Sequence, residues 1–212
     1  MKYGESFFDI LYLVFAIAGG FLLLGKARNS TEKKMGIAAL VLGFGDAFHL
    51  VPRVLNYFTE ANLTAALGIG KLVTSVTMTL FYVLLYYIWR EYYGEKENRQ
   101  TELAVWILAA VRILLCLFPQ NGWTANSGSL AWAVIRNVPF TALGVLILWL
   151  FWKNRAKDRL FGRFWLLILL SFLFYLPVAV AAGLLPILGM LMLPKTVCYI
   201  LMILTFLKAS KE

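Results

Sequence analysis

Three ionisable side chains share one apolar stretch: Asp46, His49 and Arg53, spaced i, i+3 and i+7. On a helix that spacing puts all three on one face, as a polar stripe turned toward an interior. Asp46 could then hold Arg53 or His49 in place, or serve as a general base with His49 beside it. The plainer alternative is that Asp46 neutralises a neighbouring cation such as Lys71. His49 is the single histidine of the chain. A hydrolytic zinc site recruits several such donors, so a core histidine is favoured over a ligand, and neither a metal nor a cofactor is expected.

Five cations stand inside apolar runs: Arg53, Lys71, Arg112, Arg136 and Lys195. Ionisable groups in such places are costly and usually face a bundle interior. Lys71, Arg112, Arg136 and Lys195 each lie about seven to ten residues from the same ends of their runs, roughly 10–15 Å at the helical rise. Only Asp9 and Asp46 are comparable acids. That surplus predicts an anionic ligand, held by these cations with Ser75, Asn137 and Tyr175 as polar partners. Lys195 follows Pro194, Arg136 and Asn137 precede Pro139, and Tyr175 precedes Pro177, so polar groups sit beside expected kinks. Two alternatives stay open: either lysine snorkels to the interface along its stem, and Thr74, Ser75, Thr77 and Thr79 serve as packing groups.

These residues need a scaffold, and composition names its solvent. The 212 residues are 61% hydrophobic and 15% charged, with a mean hydropathy of +0.77, beyond the range of an ordinary soluble domain. The formal charge of +9 lies mostly in loops between apolar runs, so nucleic acid is not an expected partner. Cys116 and Cys198 fall inside apolar runs and predict neither a disulfide framework nor redox chemistry. The first run carries Glu5 and Asp9 early and lacks a basic leader, so it reads as a span and not a cleaved signal.

Apolar runs fall at 6–26, 35–57, 64–90, 102–119, 129–152, 162–183 and 186–207. Each is long enough to cross about 30 Å of hydrocarbon, and a spanning segment must satisfy its own backbone. The expected fold is all-α: one polytopic domain, 1–212, of seven transmembrane helices. Lys26, Arg28, Lys33, Lys34, Arg90, Lys96, Arg99, the basic stretch from Lys153 to Arg163, Lys208 and Lys211 fall on one side, with Lys2 alone opposite. The positive-inside rule puts the N-terminus outside and the C-terminus in the cytoplasm of a multi-pass plasma-membrane protein, of bacterial inner-membrane type. Shifting the chain by 125 residues superposes Phe15, Gly19 and Pro52 on Phe140, Gly144 and Pro177, and one gap later Lys71 meets Lys195. Spans one to three (6–90) therefore read as a parallel repeat of spans five to seven (129–208), with span four (102–119) as connector.

No P-loop, Gly-x-Ser-x-Gly elbow or His-Glu-x-x-His is present. Seven spans with Lys195 in the last resemble the microbial rhodopsins, although span three offers Lys71 where that family keeps a carboxylate. The three-plus-one-plus-three layout with Pro52 and Pro177 resembles the SWEET and PQ-loop transporters, and by extension the KDEL receptors; here Arg53 and Val178 replace the Gln of their Pro-Gln pair. The segment Gly45-Asp46-Ala47-Phe48-His49-Leu50-Val51-Pro52-Arg53, with Ser75, is similar to the Gly-Asp-x-x-x-Leu region of the YhhN-type lysoplasmalogenases. That resemblance implies vinyl-ether cleavage of a lysolipid, with Asp46 as catalytic acid or base and the cations on the lipid phosphate. It covers about thirty residues; the family's usual eight spans are seven here, and its next-helix His is Val76.

The leading expectation is a membrane transporter or ligand-binding protein for a small anionic or amphipathic, lipid-like molecule. Two others stand beside it: an intramembrane lipid hydrolase using Asp46 and His49, and a non-catalytic structural or receptor-like protein whose charges pair internally. Oligomeric state is left open.

Overall fold

The computed structural model describes residues 2–125, 128–181 and 185–211. Seven α-helices follow one another: α1 Lys2–Lys26, α2 Ser30–Phe58, α3 Thr64–Tyr92, α4 Arg99–Leu117, α5 Leu130–Lys153, α6 Phe164–Ala181 and α7 Met192–Ala209. Three starts are set by side-chain caps. Asn29 accepts the Glu32 N–H at 2.9 Å, Asn98 accepts those of Gln100 and Thr101, and Ser129 accepts that of Trp132. α4 stops where Phe118 is forced extended before Pro119, which opens a 3-10 turn, Pro119–Asn121.

Each expected run contains a helix, and α1, α2 and α4 begin about a turn before the apolar residues, on mostly polar ones. The last run differs. Its first third is a 3-10 segment, Pro186–Leu191, and α7 begins only at Met192. Pro194 therefore lies in the first turn of α7, where an N–H has no helical partner, and it starts that helix without kinking it. Of the run expected at 162–183, residues 182–183 lie outside the described residues.

Six helical stretches are long and apolar enough to cross a membrane: Lys2–Lys26, Ser30–Phe58, Thr64–Tyr92, Arg99–Leu117, Leu130–Lys153 and Ile187–Ala209. Phe164–Val180 is equally apolar but shorter. The chain is thus an all-α membrane protein. Phe7, Ile10, Leu11, Val14 and Phe21 of α1 are exposed, an apolar face suited to lipid. The inward faces meet in an aromatic core, with Tyr82 edge-on to Phe140 and Phe172, and Phe161 against Phe151, Phe164 and Phe206.

Helices pack against their chain neighbours and α7 closes on α1, so the bundle is a ring; α3 against α5 and α2 against α7 fill its middle. The tightest seam is between α2 and α3. A side chain on Gly70 would run into the Phe48 carbonyl, and one on Gly45 into Thr77. Without side chains there, the two backbones close, and Thr74 Oγ1 donates to the Gly45 carbonyl at 2.9 Å. Each glycine adjoins a charged residue, Asp46 or Lys71, so the seam fixes their relative position.

Candidate functional site

One cavity of about 300 Å³ opens within the ring, at the lower end of the range for ligand pockets. Asp46, His49 and Arg53 reach it from α2, Lys71 and Ser75 from α3, and Arg112 from α4. Arg136, Tyr175 and Lys195 reach it from α5, α6 and α7. Nine of the ten residues singled out in the sequence thus meet at one place. Asn137 does not. It is buried behind the wall, where its Oδ1 accepts the Tyr175 hydroxyl at 2.8 Å and its Nδ2 donates to the Ala133 carbonyl. Residues 136 and 137 point about 100° apart on a helix, so both could not face the cavity.

Asp46 neither holds Arg53 nor orients His49. Its Oδ2 accepts the Tyr12 hydroxyl of α1 at 2.7 Å in a buried hydrogen bond. Arg53 instead forms an ion pair with Glu5, which also accepts the Tyr57 hydroxyl at 3.0 Å. The sequence count of acids passed over Glu5 because it stands in the first turn of α1, outside the apolar run.

Arg112 is the largest fully buried side chain among the described residues, 1% exposed. Its guanidinium donates to the Arg136 carbonyl and, at 3.4 Å, to the Tyr175 hydroxyl, and it lies 5.1 Å from the centre of the Phe140 ring. Pro139, three residues beyond Arg136 in α5, has no N–H for the carbonyl of Ile135, the residue before Arg136. Arg136 itself donates to Asn121 Oδ1 at 2.7 Å and lies over Trp123, 4.6 Å from the centroid. Asn121 and Trp123 also donate to the last carbonyls of α4, so the 118–123 turn holds Arg136 in place.

Lys195 is 6% exposed. Its ammonium lies 5.2 and 5.1 Å from the Tyr175 and Tyr199 rings and within the field of Asp46. Lys71 lines the same cavity but is exposed, and Ser75 turns its hydroxyl back to the Lys71 carbonyl at 2.8 Å. The cavity wall also includes residues that the sequence did not single out as site residues. Among them, Asp9 of α1 is buried, with its Oδ2 unpartnered among the described residues, and Trp123 lies beneath the Arg136 guanidinium. An acid at the ninth position reads as the edge of a span until α2 is placed beside it.

Among the described residues no ion pair joins a carboxylate to Arg112, Arg136 or Lys195. Nor do three His, Cys, Asp or Glu side chains gather as a metal would require. Met78, Phe140, Val178 and Leu193 supply an apolar part of the wall. Such a chamber can take a negatively charged head with a short apolar body. Its Asp46, Tyr12 and His49 edge offers a proton acceptor and donors. The chain matches no known protein family, no curated protein and no solved structure.

Proposed function

We propose that this protein binds, and carries across the membrane, a small anionic or amphipathic molecule in the cationic cavity. One observation carries the reading: two buried cations, Arg112 and Lys195, and the half-buried Arg136 face a single cavity with no carboxylate in salt-bridge contact among the described residues. Against them stand Asp9 and Asp46, since Glu5 is engaged by Arg53. Positive charge exceeds negative even with Lys71 left out of the count. Uncompensated charge in a low-dielectric interior is expensive, and an anion relieves that cost. The apolar wall favours a lipid-like anion over a bare inorganic one.

The membrane frame proposed with it has seven spans, the N-terminus outside and two parallel three-helix units. Support comes from the gathering of loop cations at one end, and from Lys71 and Lys195, related by the sequence repeat, lining one chamber. The SWEET-like and rhodopsin-like layouts remain resemblances of architecture, which carry no substrate with them.

Native mass spectrometry of the gently purified protein tests the reading. A phospholipid, lysolipid or small anion should accompany the wild type and be lost from Lys71→Met/Lys195→Met, with the variant still folded. An unchanged adduct in the variant overturns the assignment. An empty wild type favours a structural or receptor-like role with internally balanced charge.

A second reading is a lipid hydrolase of lysoplasmalogenase type. What favours it is the Tyr12–Asp46 hydrogen bond at the edge of the same cavity, with His49 one turn along α2. Release of aldehyde from a vinyl-ether lysophospholipid by wild type, and its loss in Asp46→Asn, would establish it; undiminished turnover in Asp46→Asn rejects it.

A further inference from the structure

The function proposed above uses the cations; the acids of the cavity have a use of their own. Ser6, Asp9 and Tyr12 follow at i, i+3 and i+6 on the inward face of α1, 5%, 3% and 1% exposed. Tyr12 donates to Asp46, whereas Asp9 Oδ2 and Ser6 Oγ, a turn apart, are buried with no hydrogen-bond partner among the described residues. Asp9 and Asp46 are both buried and both line the cavity, and Tyr12, one turn from Asp9 on the same face of α1, carries the hydrogen bond to Asp46. Two carboxylates brought together away from water do not both stay ionised unless cations compensate each.

The groups facing them from the packed elements are these. α2 supplies His49, and Arg53, already paired with Glu5. α3 supplies Lys71, and α7 supplies Lys195, with the Tyr199 ring 5.1 Å from its ammonium. Arg112 and Arg136 lie toward α5 and α6, bound to the Arg136 carbonyl and to Asn121. Among the described residues no salt bridge closes on either carboxylate, and one oxygen of Asp9 has no hydrogen-bond partner.

We infer that Asp9 and Asp46 form a proton-binding site that shares one proton, and that this proton is taken up together with the anion. The step is a single protonation: a proton from the aqueous phase adds to a carboxylate and leaves when the site empties. It adds one positive charge to the chamber, so anion binding strengthens with the proton on. By reciprocity a bound anion draws the proton onto the pair. The carboxyl pair stands on its own geometry; the link to the anion rests on the function proposed above.

Infrared spectroscopy of the full chain in lipid nanodiscs reads this directly, because a protonated carboxyl and a carboxylate absorb apart. At about pH 6, where exposed Asp and Glu are ionised, wild type should keep a protonated-carboxyl band. Asp9→Asn and Asp46→Asn should each lose it, since the remaining acid then has no second carboxylate with which to share the proton. A band lost in only one variant marks an isolated acid and overturns the shared site. A wild type without the band overturns it whether or not the variants fold. Sulfate, whose charge is constant over this range, serves as the anion probe. An upward shift of the band's titration midpoint with sulfate supports the coupling. An unmoved midpoint overturns the coupling and leaves the carboxyl pair, so the two failures are distinct.

Discussion

Arg112 shows how one residue serves both the fold and the cavity. Its guanidinium is buried without a carboxylate, an arrangement that survives only because a carbonyl, a hydroxyl and an aromatic face share the charge. Lysine in its place cannot reach the Arg136 carbonyl and Tyr175 together, so Arg112→Lys should cost about 1–2 kcal/mol. Arg112→Met leaves a carbonyl unsatisfied in the interior and should cost about 2–4 kcal/mol, and Tyr175→Phe about 1 kcal/mol. Thermal unfolding of the three variants in one detergent should show Arg112→Met least stable, then Arg112→Lys, then Tyr175→Phe. A Met variant no weaker than Tyr175→Phe would remove the bridging role. The sequence announces Arg112, Arg136 and Lys195 because charge inside an apolar run is rare. Their partners are not legible in it. Glu5 is 48 positions from Arg53 (53 − 5), and Asn137 faces a neighbouring helix instead of the cavity by a rotation that only packing fixes.

Among the elements, the α5–α6 connection, 154–163, departs furthest from a passive loop. It holds Arg155, Lys157, Arg159 and Arg163 against one acid, Asp158. That acid is turned inward: its carboxylate accepts the Phe161 N–H at 2.7 Å and the Tyr92 hydroxyl at 3.0 Å, which ties the loop to the end of α3. Partial burial pushes the Asp158 carboxyl up, but the backbone donors and Tyr92 outweigh this and hold it below its usual value. Glu95 is held down as well, first by the Lys157 ammonium and then by Asn154. A carboxyl depressed in the folded state contributes stability that is full above its ordinary pKa and drains away as pH falls through the lower folded value. The melting midpoint should therefore drop below about pH 4. Asp158→Ala should lower stability by about 1–2 kcal/mol at neutral pH and flatten part of that acid limb. A variant with the wild-type pH profile would show the loop to be held by other contacts. Apolar runs marked where every helix lies, but not this tether or the 3-10 entry to α7, since both depend on where a chain end meets another helix.

For the whole molecule the deciding quantity is which end of the ring meets the cytoplasm. Four ion pairs, Arg28–Glu32, Lys34–Glu91, Arg90–Glu102 and Lys157–Glu95, gather at the end that carries the loop cations, while Arg53–Glu5 marks the other. Lys71 lies two turns into α3 from that second end, and Trp123 belongs to a turn there, so the cavity belongs to the cation-poor half. In the orientation proposed above, with the cation-rich end cytoplasmic, the cavity faces outward. Cys116 and Cys198 are both buried, which leaves an introduced cysteine as the reporter. A membrane-impermeant maleimide should label Ala61→Cys on intact cells, and Arg159→Cys only after permeabilisation. The reverse pattern would make the chamber open to the cytoplasm, and its anion would have to be drawn from there. Labelling of both positions on intact cells would mean that α3 to α5 do not carry the chain across as an odd number of spans.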